Sequence, residues 1–358
     1  MSNNPYRRLA ERLDALPNGF PPADDGAELR LLAKLYTAEE AALASELRIG
    51  LQTPGELAEK LDADPKALKS HLKDMAGRGL IGWGKKDSHV GYKLIPFVVG
   101  IYENQNLSID EEMAELFEDY YKQVFADVLR VEPQLHRIVP IGESIETGME
   151  IHPFESATSI VDSAQSWAVI DCICRKQKAL LGDPCEHSLE MCMIMSTHPN
   201  VFDDNPTVKS LSHDQAIDTL RQAEKEGLVH AVTNSQEGVS YICNCCTCSC
   251  GILRGIAEMG IANVVARSAF VSRVDEDECF ACEDCLDVCQ FNALSMAETV
   301  VISEISCVGC GLCVLACPEE ALALVRRPES DILKVPETHR DWMEVRAMER
   351  GIEISAIL

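Results

Sequence analysis

The chain has 358 residues, a formal net charge of −26, and 46% hydrophobic but only 5% aromatic residues. Residues 1–110 carry 14 basic and 16 acidic side chains, whereas residues 111–358 carry 18 and 42, so net charges of −2 and −24 result. This excess of acid disfavours nucleic-acid binding by the larger part and suits a partner with a basic patch. No apolar run reaches the roughly 18 residues of a membrane span.

The first twenty residues show no apolar signal core. We therefore expect a cytoplasmic protein. In that reducing compartment its seventeen cysteines are expected to be metal ligands or free thiols rather than disulfides.

The first hundred residues are predicted to be mostly helical. A helix is expected over Pro5–Leu16, and helical patterns continue from Glu28. Thr53 and Glu56 form a capping-box pattern, and Asp64 is placed to cap the following helix. Two short apolar segments then flank a GKKDS turn and predict a hairpin.

Three helices and a hairpin make the segment from Glu28 to Tyr102 resemble the winged helix-turn-helix domains of bacterial regulators. The resemblance implies a helix facing a major groove and a hairpin near phosphate. DNA or partner contacts would then come from Lys66, Lys69, Lys73, Lys85 and Lys86. This surface has no Arg, Asn or Gln to read base edges, and winged helices also serve as protein-interaction or packing modules. Nucleic acid is therefore not the expected partner.

A mixed α+β segment is predicted after residue 104. Ser108 and Glu111 form a capping-box pattern for a long helix, whose aromatic stripe we interpret as core. HRIVPIG predicts a strand, SATSIVDSAQ a helix, and WAVIDCICR a strand that runs into a loop. SHDQAIDTLRQAEKEGLVHAV predicts a capped helix and a further strand.

Nine cysteines in two groups lie in this middle segment, about fifty residues apart, and far exceed what packing needs. They are Cys172, Cys174, Cys185, Cys192, Cys243, Cys245, Cys246, Cys248 and Cys250. If the groups converge, four thiolates per cluster would allow one or two further [4Fe-4S] clusters, and we expect two. One cluster with free thiols, or zinc, are the alternatives. His187 is a possible ligand, but we interpret it as a surface histidine. Three basic residues lie nearby: Arg175, Lys176 and Lys178. They either offset the charge of a cluster, bind the carboxylates of a partner or belong to a solvated loop.

Two runs with the spacing C-x2-C-x2-C-x3-C follow, and they do not have the paired-knuckle spacing of zinc sites. Over about sixty residues this part resembles the bacterial 2[4Fe-4S] ferredoxins. In that family the fourth cysteine of each run ligates the other cluster. The resemblance implies one cluster on Cys279, Cys282, Cys285 and Cys317, and a second on Cys289, Cys307, Cys310 and Cys313. Gln290 departs from the pattern, since Pro318 closes only the second run.

The predicted fold is α+β and multidomain. A winged-helix-like domain with an N-terminal extension is expected over residues 1–104, a Cys-rich α+β domain over 105–265, a 2[4Fe-4S] ferredoxin domain over 266–328 and a tail helix over 329–358. This layout resembles the modular iron–sulfur proteins of anaerobes. The tail helix is expected to be exposed, with Trp342, Val345 and Met348 on one face that could dock on this chain or on a partner.

The expected function is low-potential electron transfer to or from a partner oxidoreductase, either as a separate protein or as a subunit of its complex. Seven carboxylates beside the first run, in DEDECFACEDCLDVC, favour docking to a basic patch. No Rossmann fingerprint, P-loop or catalytic triad pattern is present, so independent catalysis is not expected. The alternative is a redox- or iron-sensing winged-helix transcription regulator.

Overall fold

The computed structural model describes residues 4–145 and 148–353 and shows a mixed α+β protein with several small sheets. The chain forms two compact units. Unit 1 comprises residues 1–132, 176–183 and 343–358, and unit 2 comprises residues 133–175 and 184–342. The boundaries of the four sequence-based domains remain predictions.

The helices of the described chain are α1 Pro5–Asp14, α2 Ala27–Leu35, α3 Ala38–Ser45, α4 Pro54–Leu61, α5 Pro65–Gly77, α6 Glu111–Leu129, α7 Ala157–Asp162, α8 Ile173–Leu180, α9 His213–Lys225, α10 Arg254–Met259, α11 Asp284–Asp287, α12 Leu312–Ala316 and α13 His339–Glu349. The strands are β1 Gly82–Lys86, β2 His89–Lys93, β3 His136–Ile138, β4 Ser166–Asp171, β5 Glu190–Ser196, β6 Lys209–Leu211, β7 Val229–Thr233, β8 Tyr241–Cys245, β9 Phe270–Val274, β10 Leu294–Met296, β11 Val300–Ile302 and β12 Leu322–Arg326.

The core of unit 1 forms around the aromatic stripe of α6, as predicted. Phe117 stacks on Tyr102 with ring centroids 3.9 Å apart, and Tyr120 lies 4.8 Å from Phe20. The predicted cap of α6 was wrong. Asp110 caps the helix by accepting the backbone N–H of Met113, because Ser108 instead donates its hydroxyl to Gln105.

Helices α4 and α5 begin as the sequence predicts. Thr53 and Glu56 form a reciprocal capping box on α4, and Asp64 accepts backbone N–H groups at the start of α5. The antiparallel hairpin β1–β2 follows, with Lys86 opposite His89 beside the turn.

Unit 2 contains an antiparallel six-stranded sheet in the order β3-β7-β8-β5-β4-β6. Helices α7 and α9 supply Ile160 and Leu220 to the apolar cluster on one face. A helix, α8, starts directly after β4, where a loop was predicted. Residues 173–181 contain no glycine or proline to oppose a helix, and Gly182 follows.

The last part of unit 2 consists of two small antiparallel pairs, β9–β12 and β10–β11. The short helices α11 and α12 pack against them, and buried Val300 and Leu322 join the cysteines in one apolar cluster.

Helix α13 is not the exposed helix that was predicted. Trp342 is 1% exposed and donates its indole N–H to the carbonyl of Gln134, whereas Val345 and Met348 are exposed. Arg346 is also buried, and its guanidinium donates to the carbonyls of Pro17, Val128 and Val131. Because a helical pattern counts apolar side chains only, it does not reveal that an arginine faces the core.

Candidate metal centre

The first cysteine site is a small, partly open cavity beside α11. Three of its cysteines come from the first run and the fourth from the end of α12. The four are Cys279, Cys282, Cys285 and Cys317.

The second cysteine site is a cavity of similar size beside α12. Here the last cysteine of the first run meets three from the second. The four are Cys289, Cys307, Cys310 and Cys313. The structure therefore groups the eight cysteines four and four, in the two sets that the ferredoxin resemblance implies, and their role as cluster ligands stays a prediction.

Backbone geometry explains how each short run can surround a cavity. The residues on either side of the second cysteine are left-handed in both runs: Ala281 and Glu283 in the first, Gly309 and Gly311 in the second. Left-handed residues turn the chain sharply, and consecutive turns of this kind direct backbone N–H groups inward. At Gly309 an added Cβ would lie 2.2 Å from the carbonyl oxygen of Phe270, so glycine is required.

The donor set of both cavities fits a cationic metal core. Burial raises the pKa of Cys285 to about 11 and that of Cys313 to about 12. These thiols therefore become thiolates only when a positive charge, such as that of a metal core, lies nearby. The hydroxyl of Ser272 lies 3.3 Å from Cys313 Sγ, and the backbone N–H of Ala293 donates to Cys289 Sγ at 3.4 Å.

The nine middle cysteines converge in unit 2, but they form two sites rather than one. Six of them make a ring in which each thiol lies close enough to the next to shift its pKa. Around the ring the order is Cys172, Cys174, Cys250, Cys245, Cys243, Cys192 and back to Cys172.

Strand register brings this six-cysteine ring together. Cys192 on β5 pairs with Ile170 near the end of β4, so it lies close to Cys172, which follows that strand. Strand β8 is the other neighbour of β5 and carries Cys243 and Cys245. Hydrogen bonds from Cys174 and Cys192, together with the charge of Arg175, hold the pKa of Cys172 well below its usual value.

The other three middle cysteines surround a histidine. The donor atoms of Cys185, His187, Cys246 and Cys248 all lie within 4.8 Å of one another. Cys185 Sγ is 3.7 Å from Cys246 Sγ and 3.4 Å from Cys248 Sγ. His187 Nδ1 is 2.8 Å from Cys185 Sγ and 3.8 Å from Cys248 Sγ. We call this the Cys3His set.

Arg175 lies between the ring and the Cys3His set. Its guanidinium is buried, donates to the carbonyls of Ser188 and Asn244 at 2.9 and 2.8 Å, and lies 3.8 Å from Cys246 Sγ. Burial alone would lower its pKa, but the charges of Cys172 and Cys246 raise it. The three basic residues predicted as one patch therefore differ in role, since Lys178 pairs with Asp183 and Lys176 donates to Asn106.

Gln290 connects the second cysteine site to the middle cysteines. Its side-chain oxygen accepts the backbone N–H of Thr247 at 2.7 Å, and its amide nitrogen donates to the carbonyls of Gly227 and Cys245. The residue that departs from the ferredoxin pattern thus anchors the segment that carries the middle cysteines.

Comparison with known families agrees with the geometry of the two cavities. Residues 278–321 match the 4Fe-4S dicluster domain. This match supports [4Fe-4S] cofactors and an iron–sulfur electron-transfer protein. Comparisons with the curated proteins and with the solved structures found no match. No helix of the described residues is long and apolar enough to cross a membrane.

Two features of the middle site escaped prediction. His187 is separated from Cys185 by one residue, as Cys246 is from Cys248, and both gaps are shorter than the knuckles of common zinc motifs. The cysteine-rich run NCCTCSCG also gives no sign of which thiols face which partner. The structure shows it: Cys243 and Cys245 lie on one face of β8, and Cys246 lies beyond the end of the strand.

Proposed function

We propose that this chain is a low-potential electron carrier between a donor and a partner oxidoreductase. The observation that carries the proposal is the pair of four-cysteine cavities within the segment that matches a dicluster domain. A [4Fe-4S] cluster held by four thiolates takes up and releases single electrons, at potentials on the order of −400 mV in related ferredoxins. Cys279, Cys282, Cys285 and Cys317 would hold one cluster, and Cys289, Cys307, Cys310 and Cys313 the other.

The residues around the cysteines support this role by shielding and by hydrogen bonding. Leu294, Val300 and Leu322 belong to the apolar cluster that packs on the cysteines and limits the access of water. Hydrogen bonds to ligand sulfurs favour the more negative, reduced state. Ala293 donates one to Cys289 at the second cavity, and the Ser272 hydroxyl, which accepts from the Cys313 thiol, would donate to that sulfur as a thiolate.

The six-cysteine ring is proposed to hold a further [4Fe-4S] cluster. Six thiols suffice for one cluster with four thiolate ligands, but not for two. From the sequence we expected two additional clusters in the middle segment, and we now propose one. Softness of thiolate ligands and the neighbouring dicluster segment favour iron–sulfur over other metals here.

We propose that the partner is a protein with a basic docking patch. The chain is proposed to work in the cytoplasm, in anaerobic metabolism. Seven exposed carboxylates precede and follow the cysteines of the first cavity. Phe280 projects among them and is 72% exposed. An apolar side chain ringed by charges of one sign suits a transient, electrostatically steered contact.

Metal analysis and reduction test this function. The chain purified without oxygen should contain about twelve irons and twelve sulfides, from three clusters of four. It should be reduced rapidly by a low-potential donor. Cys289→Ser should remove the cluster of the second cavity while that of Cys279 remains. Eight irons after full reconstitution would rule out the third cluster, and failure to accept electrons would rule out the carrier function.

The regulator alternative depends on the winged-helix proposal, which the order α3, α4, α5 and a hairpin supports. Lys66, Lys69 and Lys73 are exposed on α5, but Lys86 pairs with Glu56 at 2.6 Å. A surface with few arginine or amide readers favours weak, non-specific contacts only. We expect no sequence-selective DNA binding in either oxidation state, and a footprint that changes with cluster oxidation would instead establish the regulator.

A further inference from the structure

We propose that Cys185, His187, Cys246 and Cys248 bind a single structural Zn²⁺ ion, separate from every iron–sulfur cluster of the chain. The proposal does not rest on the electron-transfer function. It assigns three of the nine middle cysteines, and one histidine, to a different metal.

The spacing of the donor atoms points to one ion rather than a cluster. Ligands about 2.0–2.3 Å from a tetrahedral centre lie roughly 3.3–3.8 Å from one another. Three measured separations are 3.4, 3.7 and 3.8 Å. The contact between Cys185 Sγ and His187 Nδ1, at 2.8 Å, would widen by roughly 0.7 Å on binding. A four-iron cluster places its ligands on separate irons and needs wider spacing.

The chemistry of the donors favours zinc. Three thiolates and one imidazole form a closed four-coordinate set of the kind found in structural zinc sites. Imidazole suits zinc, whereas the clusters expected elsewhere in the chain are held by thiolates alone. Zinc with three thiolates and a neutral histidine has a net charge of about −1, and Arg175 lies 3.8 Å from Cys246 Sγ to offset it.

Neighbouring side chains hold the ligands in place. Glu226 accepts hydrogen bonds from the backbone N–H and the hydroxyl of Ser188, the residue after His187. Met191, Ala223 and Leu228 form a buried apolar base under Cys246 and Cys185. Supporting contacts of this kind orient metal ligands.

The ion would join two segments that are distant in sequence. Cys185 and His187 lie between α8 and β5, whereas Cys246 and Cys248 directly follow β8. Cys245 and Cys250 of the six-cysteine ring flank these last two in the sequence. Zinc would therefore hold in place the segment that carries ring thiols. The adjacent residues Cys245 and Cys246 would then bind different metal centres.

The test is metal content of the full chain, produced without oxygen and with both iron and zinc supplied. About one zinc per chain is expected in addition to iron. His187→Ala and Cys248→Ser should each lower the zinc content at least about fivefold. His198→Ala, an exposed histidine of the same unit, is the control and should retain zinc. Iron-replete chains without zinc, or zinc unaffected by both substitutions, would overturn the proposal.

X-ray absorption at the zinc edge provides a measurement that needs no loss-of-ligand variant. The wild-type chain should show about three sulfurs at 2.3 Å and one nitrogen near 2.0 Å. His187→Cys should retain zinc and shift the set to four sulfurs. A wild-type zinc site with four sulfurs, or with mostly oxygen and nitrogen ligands, contradicts the assignment.

Discussion

Gln290 shows how one residue can adapt a common motif to its surroundings. Pro318 follows the fourth cysteine of the second run, whereas Gln290 follows that of the first. Proline has no side-chain amide, so it would leave the backbone N–H of Thr247 without this acceptor and the carbonyls of Gly227 and Cys245 without these donors. We infer that glutamine is present here to attach the second cavity to the middle cysteines.

Substitution of Gln290 should loosen the segment that carries the middle cysteines without emptying the dicluster site. In Gln290→Pro, loss of the hydrogen bond should cost about 0.5–1.5 kcal/mol locally, which speeds amide exchange at Thr247 by up to roughly tenfold. Gln290→Glu keeps an acceptor and is the matched control. Hydrogen exchange by mass spectrometry makes the measurement, and unchanged exchange in the proline variant would contradict the inference.

His136 is a buried ionisable residue whose ring has no hydrogen-bond partner in the part of the chain that the structure describes. Burial lowers its pKa to about 4. Between that value and the ordinary pKa of about 6.5 only the unfolded chain binds the proton, so stability present above this window is lost as pH falls through it.

Replacement of His136 by phenylalanine should remove this pH dependence. At pH 5 the proton bound by the unfolded wild type costs about 2 kcal/mol, a cost that His136→Phe avoids. As the pH falls from 7.5 to 5, the free energy of unfolding of the variant should therefore rise by about 2 kcal/mol relative to that of the wild type. Urea unfolding measures it, with exposed His198→Phe as control, and a pH-independent difference would exclude the buried neutral histidine.

The two cysteine runs are elements with the same backbone and different residues. Ala281 and Gly309 occupy equivalent left-handed positions, with φ of 54° and 69°. An alanine is possible in the first run, but in the second a Cβ would lie 2.2 Å from Phe270 O and 2.3 Å from Ser268 Oγ. The second run packs against the β9 end of unit 2, so it cannot move away from this contact.

Gly309→Ala should therefore cost stability and iron together. We expect the loss of about four irons, those of the second cavity, because the run cannot surround its cluster without displacing β9. Ala281→Gly, the same change in reverse at the equivalent position, should keep full iron and alter stability by no more than about 1 kcal/mol. Iron quantitation with thermal unfolding measures both, and equal iron in the two variants would show that packing against Phe270 is not limiting.

At the scale of the whole molecule, the charge is uneven along the chain. Residues 111–358 carry nearly all of the excess acid, and exposed carboxylates are dense beside the first cavity. Local charge of this kind raises the association rate with a basic partner, and salt removes the effect over about 8 Å at physiological ionic strength.

Neutralising Glu283, Asp284 and Asp287 should slow electron transfer to a basic c-type cytochrome. The variant combines Glu283→Gln, Asp284→Asn and Asp287→Asn. We expect its second-order rate constant to be several-fold lower than that of the wild type at low salt and equal to it near 1 M salt. The control removes three exposed carboxylates of unit 1 by Glu39→Gln, Glu59→Gln and Asp62→Asn, an equal change of net charge. Stopped-flow kinetics measures the rates, and equal slowing in both variants would indicate net charge rather than a docking patch.

The dicluster site was predictable from sequence because its ligands lie close together at a spacing that a short chain can fold around only in a few ways. The core helix α6 and the capped helices α4 and α5 were predictable because periodicity and capping are local. The burial of Arg346 and Trp342 was not, since it depends on carbonyls distant in the chain. The division of the middle cysteines was decided by tertiary structure alone. Strand register places six thiols in one ring, and the approach of two segments some sixty residues apart gathers Cys185, His187, Cys246 and Cys248 within 4.8 Å.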